Sequence, residues 1–140
     1  MTAAGYLLDT NVVSETRKLH ADPRVTGFLE AVTGERLFLS VLTLGELRKG
    51  VAAKRRTDAE TADRLAVWVD EIERNFVDRV LPVDAAAARI WGELSAARSL
   101  PVVDTLIAAT AMTRGLTLVT RNTRDVAATG VIVLDSWDAC

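Results

Sequence analysis

Pro101-Val102-Val103-Asp104-Thr105-Leu106-Ile107-Ala108-Ala109-Thr110-Ala111-Met112-Thr113-Arg114-Gly115-Leu116-Thr117-Leu118-Val119-Thr120-Arg121-Asn122 is the stretch on which the reading of the fold turns. The proline precedes a helix over Val102 to Arg114, and Gly115 stands where a left-handed C-cap is favoured. Thr117 to Val119 then makes a short buried strand, followed by the polar, turn-rich segment Arg121 to Asp125 and a final strand, Val131 to Leu134. Asp104 falls in the first turn of the helix, where an acid favours the dipole. Ala108 and Ala111 on its face are expected to leave room for something bulky or hydrated nearby.

The same alternation extends towards the N-terminus. Val80 to Val83 reads as a strand, and Asp84 caps a helix with Ala87, Ile90, Trp91 and Leu94 along one stripe. Upstream, Ala59 to Asn75 is a long amphipathic helix whose Leu65, Trp68, Val69 and Ile72, with Phe76 beyond its end, keep core-facing spacing. Leu37 to Leu39 is a strand, after which Ser40 caps a helix to about Lys54, with Leu44, Leu47 and Val51 on its buried face. Tyr6 to Leu8 is the first strand, and Asp22-Pro23 opens a helix through about Ala31. Strands alternating with helices predict a three-layer α/β/α domain with a mostly parallel central sheet, one domain over residues 1–140. Ligands of such sheets sit beyond the carboxyl ends of the strands.

Composition narrows the function classes. With 17 Lys and Arg against 19 Asp and Glu, the net charge of −2 argues against a broad nucleic-acid surface. The basic residues do cluster: Arg48, Lys49, Lys54, Arg55 and Arg56 form either a solvated helix end or a phosphate-contacting edge. Cys140 is the one cysteine, so an intrachain disulfide and paired-thiolate zinc sites are excluded, which fits a reducing cytoplasm. No signal peptide or membrane span is legible. His20 is the one histidine, expected at the surface, and it excludes a two-histidine ribonuclease. A glycine-rich phosphate loop ending in Lys-Ser or Lys-Thr is absent.

Four acids remain. Asp9 directly follows the first strand, where an Asx-turn is its ordinary use. Glu46 borders the buried stripe of its helix and reads by itself as a boundary residue. Asp104 reads by itself as a dipole partner, and Asp125 as a turn residue. Together they say more, because three arise where a parallel sheet places its active-site loops and Glu46 can project from the helix between. Carboxylates brought close repel unless protonated or bridged by a cation. Oxygen-only ligation selects magnesium or manganese. The chemistry then expected is a metal-activated water attacking phosphorus.

These residues also resemble a known family. Asp9-Thr10-Asn11, Glu46-Leu47-Arg48-Lys49-Gly50, the run Asp104 to Ala111 and Thr120-Arg121-Asn122-Thr123-Arg124-Asp125 look like the motifs of PIN-domain ribonucleases in their usual order, and are similar to VapC toxins of VapBC toxin–antitoxin pairs. The resemblance implies a magnesium- or manganese-dependent endoribonuclease, commonly homodimeric, held inactive by a VapB-like antitoxin whose tail enters the acidic site. It matches Asp9, Glu46 and Asp104 to the core acids and leaves Asp125 as the fourth catalytic candidate. Asp9, Asp104 and Asp125 are the implied metal ligands. Thr10, Asn11, Thr120 and Asn122 are expected to support them, Asn122 possessing an oxygen that could also ligate. Arg48, Lys49, Lys54, Arg55 and Arg56 are the expected RNA contacts. Val126, in place of a frequent aromatic, and Asp135-Ser136-Trp137, in place of Asn-Pro-Trp, depart from the pattern. The rivals are a nuclease of this fold acting on DNA or in RNA processing without an antitoxin, a receiver-type phosphoacceptor, and a binding module with a dead site. A receiver normally wants an acidic pair after its first strand, where this chain has Asp9-Thr10-Asn11.

Overall fold

The computed structural model describes residues 5–138. Cys140, on which the disulfide argument rested, lies outside them. The first strand, β1 (Tyr6–Leu8), runs into a short helix, α1 (Thr10–Glu15), which is followed by α2 (Pro23–Ala31). A 3-10 turn over Gly34–Arg36 leads to β2 (Leu37–Ser40), and then come α3 (Val41–Arg55), α4 (Ala59–Asn75) and β3 (Val80–Leu81). The remainder is α5 (Ala85–Ala97), α6 (Val102–Arg114), β4 (Thr117–Val119), α7 (Thr123–Val126), a 3-10 turn over Ala127–Thr129 and β5 (Val133–Leu134).

The strand order is β3-β2-β1-β4-β5, with every pairing parallel. Tyr6 sits level with Leu37 and Thr117, so β1 is the central strand and its two neighbours end beside Asp9. Successive strand residues face opposite sides of the sheet. Leu8 and Leu39 pack with Val12, Val13, Val25, Leu47, Val51 and Val69 on one side, while Leu7 and Leu118 pack with Ile107, Ala108 and Ala111 on the other. Each fully buried leucine contributes about 1.5–3 kcal/mol. Two apolar layers therefore grip the strands whose ends carry the acids.

Local chemistry explains most of the boundaries. Asp22, Ser40 and Asp84 accept backbone N–H bonds from Arg24, Leu42 and Ala87 at 2.9, 3.0 and 2.9 Å, capping α2, α3 and α5 as expected. Gly115 has φ +65° and ends α6, and the Leu116 N–H returns to the Ala111 carbonyl at 2.9 Å. The α4 stripe packs as expected: Val69 is buried and Leu65, Trp68, Ile72 and Phe76 lie against the same core.

One helix was not anticipated and three expectations are corrected. Residues 10–15 form a helix because Asp9 caps it and Val12 and Val13 are buried, two constraints that a six-residue segment does not advertise by periodicity. The segment 121–125 contains the start of α7, pinned by buried Val126. The strands expected over Val80 to Val83 and Val131 to Leu134 shorten to two residues each, the pairs that lie level with Leu39–Ser40 of β2 and Leu118–Val119 of β4. Finally, Ala108 and Ala111 are wholly buried and hold α6 against the sheet, so they do not leave room near Asp104.

Candidate functional site

Asp9 is the centre of the arrangement. Its backbone N–H bonds to the Val119 carbonyl at 2.9 Å, extending the β1–β4 ladder by one residue and fixing where its side chain starts. The carboxylate is 6% exposed and accepts three bonds: the Thr10 N–H to Oδ1 at 2.8 Å, and the Thr120 hydroxyl and Asn11 Nδ2 to Oδ2 at 2.7 and 3.1 Å. Thr120 is wholly buried, and its oxygen in turn accepts from Asn122 N–H at 3.0 Å and from Asn11 Nδ2 at 3.2 Å. The Asn11 carbonyl oxygen accepts the Arg121 N–H at 3.3 Å. Residues more than a hundred positions apart thus lock one carboxylate in place, each bond to a charged acceptor being stronger than a neutral one.

Glu46 is set from the other side. It projects from α3, and the Thr10 hydroxyl donates to its Oε1 at 2.5 Å while lying 3.3 Å from the buried Thr43 hydroxyl. Asp104 comes from the first turn of α6, half-buried. Burial, and then the carboxylates of Asp9, Glu46 and Asp125, push its pKa up to about 6. The charges of the other three expected acids therefore all reach Asp104. Asp9, Thr10, Asn11, Ser14, Glu46, Asp104 and Asn122 line an open cavity of about 270 Å³ at the strand ends. Asp125 is exposed on α7 and stands outside that lining, close enough for its charge to reach Asp104.

Ser14 and Thr43 were missed from sequence. Ser14 lies one turn after Thr10 and Thr43 one turn before Leu47, signals that count only once α1 is known to be a helix over the cavity.

The donor set is oxygen alone, with no cation paired to Asp9, Glu46, Asp104 or Asp125 among the described residues. Among those residues no group of three or more acids closes into a ready-made metal cage. An oxygen-only donor set is of the kind that magnesium or manganese takes, magnesium keeping several waters beside one or two carboxylates.

The basic stretch on α3 divides. Arg48 donates to Asp70 at 2.6 Å and to Glu73 at 2.9 and 3.1 Å, and Arg55 to Asp63 at 2.7 Å, all on α4. Lys49, Lys54 and Arg56 make no ion pair among the described residues. Lys49 borders an apolar hollow of about 540 Å³ that also touches Glu46, and Lys49 and Arg56 share a second hollow of about 300 Å³ further along the helix. His20 is exposed, as expected. No helix among the described residues is long and apolar enough to cross a membrane.

Known proteins are similar to this chain over nearly its whole length. The VapC ribonuclease Y4jK of Sinorhizobium fredii is 36% identical, covering 94% of this chain and 97% of that protein. The crystal structure of FitAcB from Neisseria gonorrhoeae superposes with a TM-score of 0.86 at 32% identity, over 95% of this chain and 99% of that one. A member of the VapBC family of toxin-antitoxin systems, VapBC-5 from Mycobacterium tuberculosis, superposes with a TM-score of 0.65 at 30% identity, over 94% of this chain and 96% of that one. The PIN domain model matches residues 6–130, the span from the first strand past the last acid, and with relatives of this similarity the chain belongs to the PIN domain family.

Proposed function

We propose that this protein is a magnesium- or manganese-dependent endoribonuclease and the toxin of a toxin–antitoxin pair. Membership in the PIN domain family and full-length likeness to a VapC ribonuclease support the enzyme class. The observation that carries the chemistry is the approach of Asp9, Glu46, Asp104 and Asp125 at the carboxyl ends of β1 and β4, with the Asp104 pKa raised by burial and then by the other three.

Asp9, Asp104 and Asp125 would hold the ion, with Asn122 offering a neutral oxygen at the cavity wall. A bound divalent ion supplies charge neutralisation for the phosphoryl oxygens and lowers the pKa of a water. The chain's own residues do the rest. Thr120, Asn11 and the Thr10 N–H hold the Asp9 carboxylate aimed, and the Thr10 hydroxyl holds Glu46 where it can accept a proton from a water. Lys49, Lys54 and Arg56 offer charge to phosphates along α3.

An antitoxin partner is drawn from the toxin-antitoxin system to which VapBC-5 belongs, and an acidic cavity suits a basic plug. A homodimer is consistent with α5, where Ile90, Trp91 and Leu94 stay only half-buried in the single chain. A cytoplasmic location goes with this reading.

Incubating the purified protein with total RNA, with magnesium or with chelator, and mapping the new ends tests the proposal. Cleavage restricted to the magnesium sample is expected, and no cleavage in either overturns it. A matched single-stranded DNA distinguishes the alternative nuclease: preferential cutting of DNA replaces the ribonuclease reading.

A further inference from the structure

Several arginines of this chain are paired with acids, whereas Arg121, like Lys49, Lys54 and Arg56, makes no ion pair among the described residues. Arg24 binds the Asp22 carboxylate through Nε and Nη2 at 3.1 and 2.8 Å. Arg48 and Arg55 are tied to α4. Arg121 makes no ion pair and no side-chain hydrogen bond among the described residues. Its guanidinium carbon sits 5.0 Å from the ring centroid of Trp137, a side chain 5% exposed and packed in the core. Asp22, the acid whose carboxyl feels the Arg121 charge, is held at about 2 chiefly by its own bonds with Arg24.

The backbone of Arg121 is tied to the same network that holds Asp9. It stands between Thr120, which binds Asp9, and Asn122, which lines the cavity, and its own N–H is held by Asn11. In the order β2-β1-β4, α3 follows β2, Asp9 follows β1 and Arg121 follows β4. Arg121 and the start of α3 therefore flank Asp9 on opposite sides, one strand away on each, and Lys49, about two turns further along α3, shares a hollow with Glu46. A polyanionic strand crossing four carboxylates needs positive charge outside them to hold it. A guanidinium resting on an aromatic ring keeps its in-plane N–H groups free, and that edge matches a phosphate in two-point geometry.

We propose that Arg121, seated on Trp137, binds a substrate phosphate on the flank opposite α3, so that the strand spans the cavity between Arg121 and the cations of α3. This rests on the ribonuclease reading and adds a contact and a direction to it.

The test is steady-state cleavage of a labelled single-stranded RNA in magnesium over a salt series, with wild type, Arg121→Gln, Arg121→Lys and Arg24→Gln. Arg24→Gln removes the same charge from a neighbouring but paired position. Arg121→Gln is expected to raise KM about fivefold or more with kcat within about twofold, the pattern of a lost binding contact. Its kcat/KM should depend on salt with a slope shallower by roughly 0.7, one single-strand phosphate contact. Arg121→Lys should keep the wild-type slope with an intermediate KM, because charge survives and planarity does not. Arg24→Gln should match wild type. If wild type cleaves and Arg121→Gln raises KM no more than Arg24→Gln does, or lowers kcat alone, the Arg121 contact is overturned while the ribonuclease reading stands. If wild type does not cleave the strand, both fall together.

Discussion

Helices α3 and α4 and the crevice at the ends of β1 and β4 both gather acids, and they treat them in opposite ways. On the helical pair, Asp70 and Glu73 meet Arg48 and Asp63 meets Arg55 at 2.6–2.9 Å, so three of the acids of α4 have a cation against them. In the crevice Asp9 and Glu46 have only hydroxyls, an amide and a backbone N–H, and Asp104 is pushed up to about 6. Surface ion pairs add little stability, typically about 0–1 kcal/mol. Unpaired acids held together lower it. Under the function proposed above, the uncompensated set is the one that takes a ligand.

The hardest blow to that contrast falls on activity. Asp9→Asn and Asp104→Asn should each lower kcat by about a hundredfold or more with the fold intact by circular dichroism. Near-normal cleavage by either would remove the crevice from the mechanism and make the two acidic regions equivalent.

Metal should then reverse an order of stabilities. Magnesium at a hundred times its dissociation constant should stabilise wild type by about 2.7 kcal/mol, and Asp104→Asn much less. Melting both proteins in chelator and in magnesium gives the comparison: Asp104→Asn should be the more stable in chelator and the less stable in metal. Unshifted curves for wild type would mean that the crevice acids share no cation.

The pH dependence sharpens the same point without metal. The folded Asp104 pKa, about 6, lies above its ordinary 3.8, so between these values the folded chain binds the proton more tightly than the unfolded chain. Stability should therefore fall as pH rises through this window and level off above it. With allowance for solvent screening of a half-buried group, about 1–2 kcal/mol is involved. Denaturant unfolding from pH 4 to 7.5 in chelator should show a slope that Asp104→Asn loses. An equal slope in the mutant would assign it to other groups.

The smallest effect belongs to the helical pair. Arg48→Gln should cost under about 1 kcal/mol, since Arg48, Asp70 and Glu73 are all partly in water. Cleavage kinetics should be nearly unchanged, because this guanidinium is engaged by α4. A large rise in KM would return Arg48 to the RNA-binding edge expected from sequence.

How much of this was legible in the chain depends on the range of the interactions involved. Asp22, Ser40, Asp84 and Gly115 announced helix ends because a cap is a contact within three or four positions, and the stripe of α4 announced its buried face by spacing alone. Asp9, Glu46 and Asp104 were legible as candidates because strand ends and a helix start placed them, and the PIN-domain resemblance ordered them. Helix α1 was not legible, since six residues are too few to show a period and its stability comes from burying Val12 and Val13 in a core assembled elsewhere. The division of the α3 cations was not legible either: Arg48 and Lys49 are adjacent in sequence, yet one turns to α4 and the other to the hollow beside Glu46. Nor were the grip of Thr120 on Asp9, across 111 positions, and the seat of Arg121 on Trp137. Residue type and local spacing therefore determined which elements form and which acids could serve. The tertiary structure alone decided which of those charges are paired, because that depends on side chains brought together from strands and helices far apart in the chain.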